Sequence, residues 1–111
     1  METKTIEKNE FGFRVKDMKY MLELFALNPE IEKVILYGSR AMGTYENGSD
    51  VDMALTGSKV NFDTVAHIHY VLEEASPMPL MFDVLHYDTL KNKKLEEQID
   101  KHGKIIYERK K

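Results

Sequence analysis

Asp50 and Asp52 stand one residue apart, a short loop after the pair Gly38-Ser39, and together these residues describe a place to hold a metal-bound nucleotide. In an extended segment side chains alternate between faces. The two carboxylates therefore project together, roughly 6.6 Å apart along the chain, while Val51, Met53 and Leu55 turn toward the core. Two like charges so placed repel, and a divalent cation relieves the repulsion while gaining oxygen ligands. Mg²⁺ suits this pattern, because it binds one or two carboxylates and takes further ligands from substrate phosphates. Upstream, the apolar run Val34-Ile35-Leu36-Tyr37 reads as a buried strand, so Gly38 and Ser39 fall where a strand opens into a helical turn. The first amide groups of a helix are unpaired and attract anions, which makes that turn a seat for phosphate.

Two other phosphate or metal motifs are excluded by their own spacing. Gly38 and Gly43 have the separation of a P-loop, but Thr44 stands where the lysine must be. Counted from Asp50 as an EF-hand calcium loop, the fifth and sixth positions are Ala54 and Leu55, which supply neither an oxygen ligand nor the turn glycine. The chain has no cysteine, so thiolate metal sites and disulfides are out. His67 and His69, two apart on a helix, point in different directions and do not make a metal pair.

The 111 residues suffice for one domain, residues 1–111, with 1–10 and 108–111 expected as flexible ends. A net charge of −3 argues against a protein that grips a nucleic-acid backbone alone. No signal-like or membrane-spanning apolar run occurs, and a cytoplasmic protein is expected.

Four helical segments and four strands must position the acids. Val15, Met18, Met21, Leu22, Phe25 and Ala26 predict an amphipathic helix ending near Asn28-Pro29. After the strand and turn already described, the Gly-, Asn- and Ser-rich stretch Thr44 to Ser49 leads to the second strand, which ends at Thr56-Gly57-Ser58. A helix over 62–75 is predicted to bury Phe62, Val65, Ala66, His69, Leu72 and Ala75, and Pro77 and Pro79 end it. Leu80 to Leu85 reads as a third strand carrying one unexpected acid, Asp83. Asp88 is the expected N-cap of a last helix through Leu90, Leu95 and Ile99, and Gly103 precedes a short strand, Lys104 to Tyr107. The exposed members among seven Met and the aromatic residues would suit a homodimer or a helical partner.

The order Leu36-Tyr37-Gly38-Ser39-Arg40-Ala41-x-Gly43, then Ser49-Asp50-Val51-Asp52-Met53-Ala54-Leu55, then Asp83 on a later strand, resembles the minimal nucleotidyltransferases of the DNA polymerase beta superfamily. Tyr37 replaces the phenylalanine usual there. The resemblance spans nearly the whole chain and implies an α/β (α+β) nucleotidyltransferase fold, a small mixed sheet flanked by helices. It implies that Gly38 and Ser39, with Ser49 and Arg40 nearby, hold the nucleotide. Arg40 has two readings, a phosphate contact and a brace of the loop. Asp50 and Asp52 would ligate two Mg²⁺ ions, and Asp83 would complete the site nearest the acceptor. The implied reaction transfers a nucleoside monophosphate, AMP from ATP, to a hydroxyl and releases pyrophosphate. The implied partner is a helical HEPN-type protein, as acceptor or as the subunit that binds a small acceptor. The alternatives are a non-catalytic nucleotide-binding antitoxin acting by contact, and a plain interaction domain.

Overall fold

The apolar run before Gly38 forms β1 (Lys33–Tyr37), and Val34 and Leu36 on one of its faces are fully buried. A computed structural model describes residues 7–110 of the chain. Around β1 the order is α1 (Val15–Ala26), β1, α2 (Gly38–Met42), β2 (Val51–Thr56), α3 (Phe62–Tyr70), β3 (Phe82–His86), α4 (Lys93–His102) and β4 (Lys104–Glu108). This is the predicted sequence of elements, and the sheet is mixed, with strand order β3-β2-β1-β4. β1 runs antiparallel to β2 and β4, whereas β2 and β3 are parallel. Parallel neighbours need a long crossover, and α3 supplies it.

The sheet separates two apolar layers. Val34, Leu36, Val51, Met53, Leu55 and Phe82 pack with Met21, Leu24 and Phe25 of α1 and with Ile68 and Leu72 from the α3 segment. On the other face Tyr37 and Ala54 pack against Ile99 of α4, with Ile35, Leu85 and Leu95 around them. Val51, Met53 and Leu55 are thus all turned into the core, as alternation in β2 requires.

α1 and α3 bury only part of the faces predicted for them: Met21, Phe25 and Leu72 are buried and Met18, Leu22 and Val65 pack against the core, but the inward faces are rotated to take in other residues. In α1 the inward residues are Asp17, Met21, Leu24 and Phe25, while Val15 is 74% exposed. Asp17 is tolerated inside because the Arg14 Nε donates to it at 2.9 Å. In α3 the inward positions are Thr64 and Ile68, followed by Leu72 in a wider helical turn (Val71–Ala75), and Phe62 is 83% exposed. Asn61 and Thr64 form a reciprocal cap at the start of α3, and the Thr64 hydroxyl also donates to Glu30. Those contacts turn Thr64, and with it Ile68 and Leu72, toward the sheet.

Two end signals also move. Asp88 does not cap α4; its carboxylate accepts from the Gly57 amide, and Asn92 accepts from Leu95 as the N-cap instead. The expected flexible end at 108–111 is built into the fold as far as Arg109. Glu108 closes β4, and the Arg109 guanidinium donates to the carbonyls of Phe25, Ala26, Asn28 and Ile31 at the end of α1 and in its exit turn, where the Phe25 and Asn28 carbonyls also accept from the Asn28 and Ile31 amides. Of the leading residues, 1–6 lie outside the described residues, and Lys8 makes a bridge to Arg14. Among the described residues no helix is long and apolar enough to cross a membrane.

Candidate active site

The chain leaves β1 through Gly38 at φ +74°, a left-handed conformation that glycine adopts without strain, and enters the five-residue helix α2. Glycine also keeps the Asp52 carboxylate in place, because a Cβ at position 38 would overlap that carboxylate and make it shift. The acid therefore lies directly against the turn. Gly43 ends α2 at φ +78° with open space around it.

Pairing between strands assembles the acids. β2 and β3 are in a register that sets Asp52 beside Asp83, and the antiparallel register of β1 sets Tyr37 opposite Asp52. Residues paired in this way share a face, so all three side chains leave the sheet on the α4 side. Asp50 has the same parity just before β2 and is exposed. Asp83 is exposed on the edge strand β3, whereas Asp52 is half-buried.

The fields at the site follow from this geometry. Burial raises the pKa of the Asp52 carboxyl, and the negative charges of Asp83 and then Asp50 raise it further. Tyr37, buried, has its hydroxyl pKa raised by burial and by Asp83 and Asp52 in turn. Among the described residues no ion pair involves Asp50, Asp52 or Asp83. Nor is any group of three or more His, Asp or Glu side chains drawn together tightly enough to enclose a metal ion. The acids form an uncompensated half-site of oxygen donors, open on one side. That donor set fits Mg²⁺, which retains waters and takes its remaining ligands from a substrate's phosphates.

Of the two readings of Arg40, the structure realises the brace. The side chain is buried, with Nε and one terminal nitrogen donating to the Ser49 carbonyl at 3.1 and 2.9 Å and the other donating to the Phe11 carbonyl at 2.9 Å. Its guanidinium carbon lies 5.2 Å from the ring centres of both Phe13 and Tyr45. With three of its five N–H donors so occupied and its side chain buried, Arg40 holds the loop that delivers Asp50. Ser49, expected on the nucleotide side, turns its hydroxyl to the Glu46 amide at 2.8 Å and tightens the same loop. Ser39 follows Gly38 in the first turn of α2, where the sequence placed it.

Tyr37 was missed as a site residue. The available signal was a hydroxyl in an otherwise apolar strand, immediately before the glycine. A cavity of about 800 Å³ lies at the other end of the sheet, by Lys33, Thr56 and Arg109, and includes none of the candidate site residues.

Gly38→Ala is expected to destabilise the protein by about 1–3 kcal/mol through backbone strain and to displace Asp52 as well. Gly43→Ala meets no neighbour and should cost only the backbone part. Denaturant unfolding of both variants, with nucleotide binding alongside, separates the two effects. Equal losses of binding would mean that the approach of Gly38 to Asp52 is irrelevant.

A turn of this kind beside paired acids on a mixed sheet matches the nucleotidyltransferase fold. The family described as polymerase beta, nucleotidyltransferase matches residues 19–111, and the chain belongs to that family. Its fold is shared by chains of solved toxin–antitoxin structures. A toxin–antitoxin structure with AMP-PNP matches at 20% identity and a TM-score of 0.69, covering 84% of this chain and 74% of that one. A tri-AMPylated HEPN toxin of Shewanella oneidensis in complex with its MNT antitoxin matches at 17% identity and TM-score 0.63, covering 83% and 70%. The toxin–antitoxin MntA-HepT matches at 17% identity and TM-score 0.62, with the same coverage. No curated protein matches the chain.

Proposed function

We propose that this protein is a cytoplasmic, Mg²⁺-dependent nucleotidyltransferase that moves AMP from ATP to a hydroxyl on a HEPN-type partner protein, or on a small molecule bound by a partner subunit. The observation that carries the proposal is the register setting Asp52 beside Asp83, with Asp50 on the same face and Gly38 beneath. Gly38 and Ser39 would receive the terminal phosphates at the open amides of the turn. Asp50, Asp52 and Asp83 would hold two Mg²⁺ ions, whose chemistry is to neutralise the phosphates and clamp the attacking and leaving oxygens. Asp83, at the exposed edge, is placed to orient the acceptor hydroxyl and draw off its proton. The acceptor oxygen bonds to the α-phosphorus, the bond to the bridging oxygen breaks, and pyrophosphate leaves. The acids lie at an open edge, which suits an acceptor brought by a second polypeptide.

The open spacing of the acids also favours one alternative, a nucleotide-binding antitoxin that acts by contact without transfer. Incubation with α-labelled ATP, Mg²⁺ and a HEPN-type protein encoded beside this one distinguishes them. Transfer predicts label on the partner, released pyrophosphate, and loss of both with a chelator. Contact alone predicts no label but about 2.7 kcal/mol of stabilisation at ATP concentrations 100 times the dissociation constant. Neither label nor stabilisation would overturn both readings.

A further inference from the structure

We propose that the outward stripe of α1 is a homodimer interface, packed antiparallel on the same stripe of a second copy about a two-fold axis. α1 is apolar on two sides. Asp17, Met21, Leu24 and Phe25 face the sheet, leaving a second row, Val15, Met18, Leu22 and Ala26, in which Val15 and Ala26 are exposed while Met18 and Leu22 rest their inner sides on the core and show their outer sides in a groove. At about 100° per residue these four fall within about 80° of one another and form a narrow seam. They line a shallow groove of about 510 Å³ with Lys19 and Glu23 along one flank. An apolar seam bordered by charge is the pattern by which helices recognise helices.

The order of residues along the seam selects the occupant. A two-fold axis crossing the helix between Tyr20 and Met21 leaves Val15 and Ala26 equally far from it, so each meets the other's counterpart in the second copy. Lys19 and Glu23 lie on the same flank, on opposite sides of that axis and at nearly equal distances. The rotation therefore sets Lys19 against the second copy's Glu23, and Glu23 against the second copy's Lys19. One surface supplies both halves of the contact, as an isologous interface demands. A parallel two-fold pairing would instead carry the Lys19–Glu23 flanks of the two copies to opposite sides of the seam and leave these charges without each other as partners. Both residues are exposed, and among the described residues neither is engaged in an ion pair.

The chain alone has a mass of 12.9 kDa, and sedimentation equilibrium should report twice that. Lys19→Glu and Glu23→Lys each create two like-charge contacts and should weaken the dimer at least about tenfold. The double variant carrying both reversals restores opposite charges and should recover the dimer. Val15→Glu, at the end of the seam, should also give monomers. All three positions are exposed, so thermal melting monitored by circular dichroism should show an intact fold in every variant. A monomeric wild type at every concentration, a dimer indifferent to the single reversals, or a double variant that stays monomeric overturns the proposal. So does a stripe whose variants lose a HEPN-type partner while self-association is unchanged.

Discussion

Asp83→Asn is expected to reduce nucleotidyl transfer by about 100- to 10,000-fold, since several kcal/mol of transition-state stabilisation pass through a metal ligand of this kind. The protein should remain as stable as wild type, because Asp83 is exposed and enters no ion pair among the described residues. Asp52→Asn should abolish transfer to a similar degree, yet its effect on stability should be positive. The folded Asp52 carboxyl has a pKa above its ordinary value, so the folded state binds the extra proton. Stability from this group is therefore present at low pH and is lost as pH rises from the ordinary carboxylate value through the raised one. Above that window, in metal-free buffer, Asp52→Asn should melt at a higher temperature than wild type. Added Mg²⁺ and ATP should stabilise wild type more than the variant. Denaturation curves across pH, with label-transfer rates, check each part. A destabilised Asp52→Asn would indicate that the carboxylate serves the fold.

Arg40→Ala should destabilise the protein by about 3–4 kcal/mol, a large share of the stability of a domain this size. The loss combines three hydrogen bonds from a cation to the carbonyls of Ser49 and Phe11 with the removal of a guanidinium packed between Phe13 and Tyr45. Arg40→Lys should recover little, because an ammonium on a flexible stem neither forks to both carbonyls nor stacks between two rings. At temperatures where Arg40→Lys remains folded, transfer should still fall at least about tenfold, since the loop before Asp50 has lost its anchor. Urea denaturation and ATP titration measure the two consequences. Wild-type stability with a selective loss of ATP affinity would return Arg40 to a phosphate contact.

The outcome at Arg40 shows where reading along the chain stops. A Gly-Ser-Arg run places the arginine next to a phosphate turn, and both roles are compatible with that position. Its partners, Phe11, Phe13, Tyr45 and Ser49, come from two separate segments that converge only in the fold. The inward faces of α1 and α3 are only partly legible for a related reason. Each has apolar residues around more than one side, so periodicity reveals a helix without choosing its inward face. Neighbouring contacts make that choice, the Arg14–Asp17 pair at the start of α1 and the Asn61–Thr64 cap with Glu30 on α3.

The turn at Gly38 and the alternation through Asp50, Val51, Asp52 and Met53 are legible in the sequence because they arise from the backbone preferences of adjacent residues. The order of elements was legible for the same reason, since runs of apolar residues and breakers act locally. The companionship of Asp52 and Asp83 is different. It depends on β3 lying parallel to β2 in one register, and slipping that register by a single residue would turn Asp83 to the opposite face. Burial of the surrounding apolar residues selects the register, a condition on the whole sheet that neither strand contains alone. Local rules thus wrote a phosphate turn and two acids into the chain. Long-range packing added the third acid, withdrew Arg40 into the interior and left a seam of α1 facing outward.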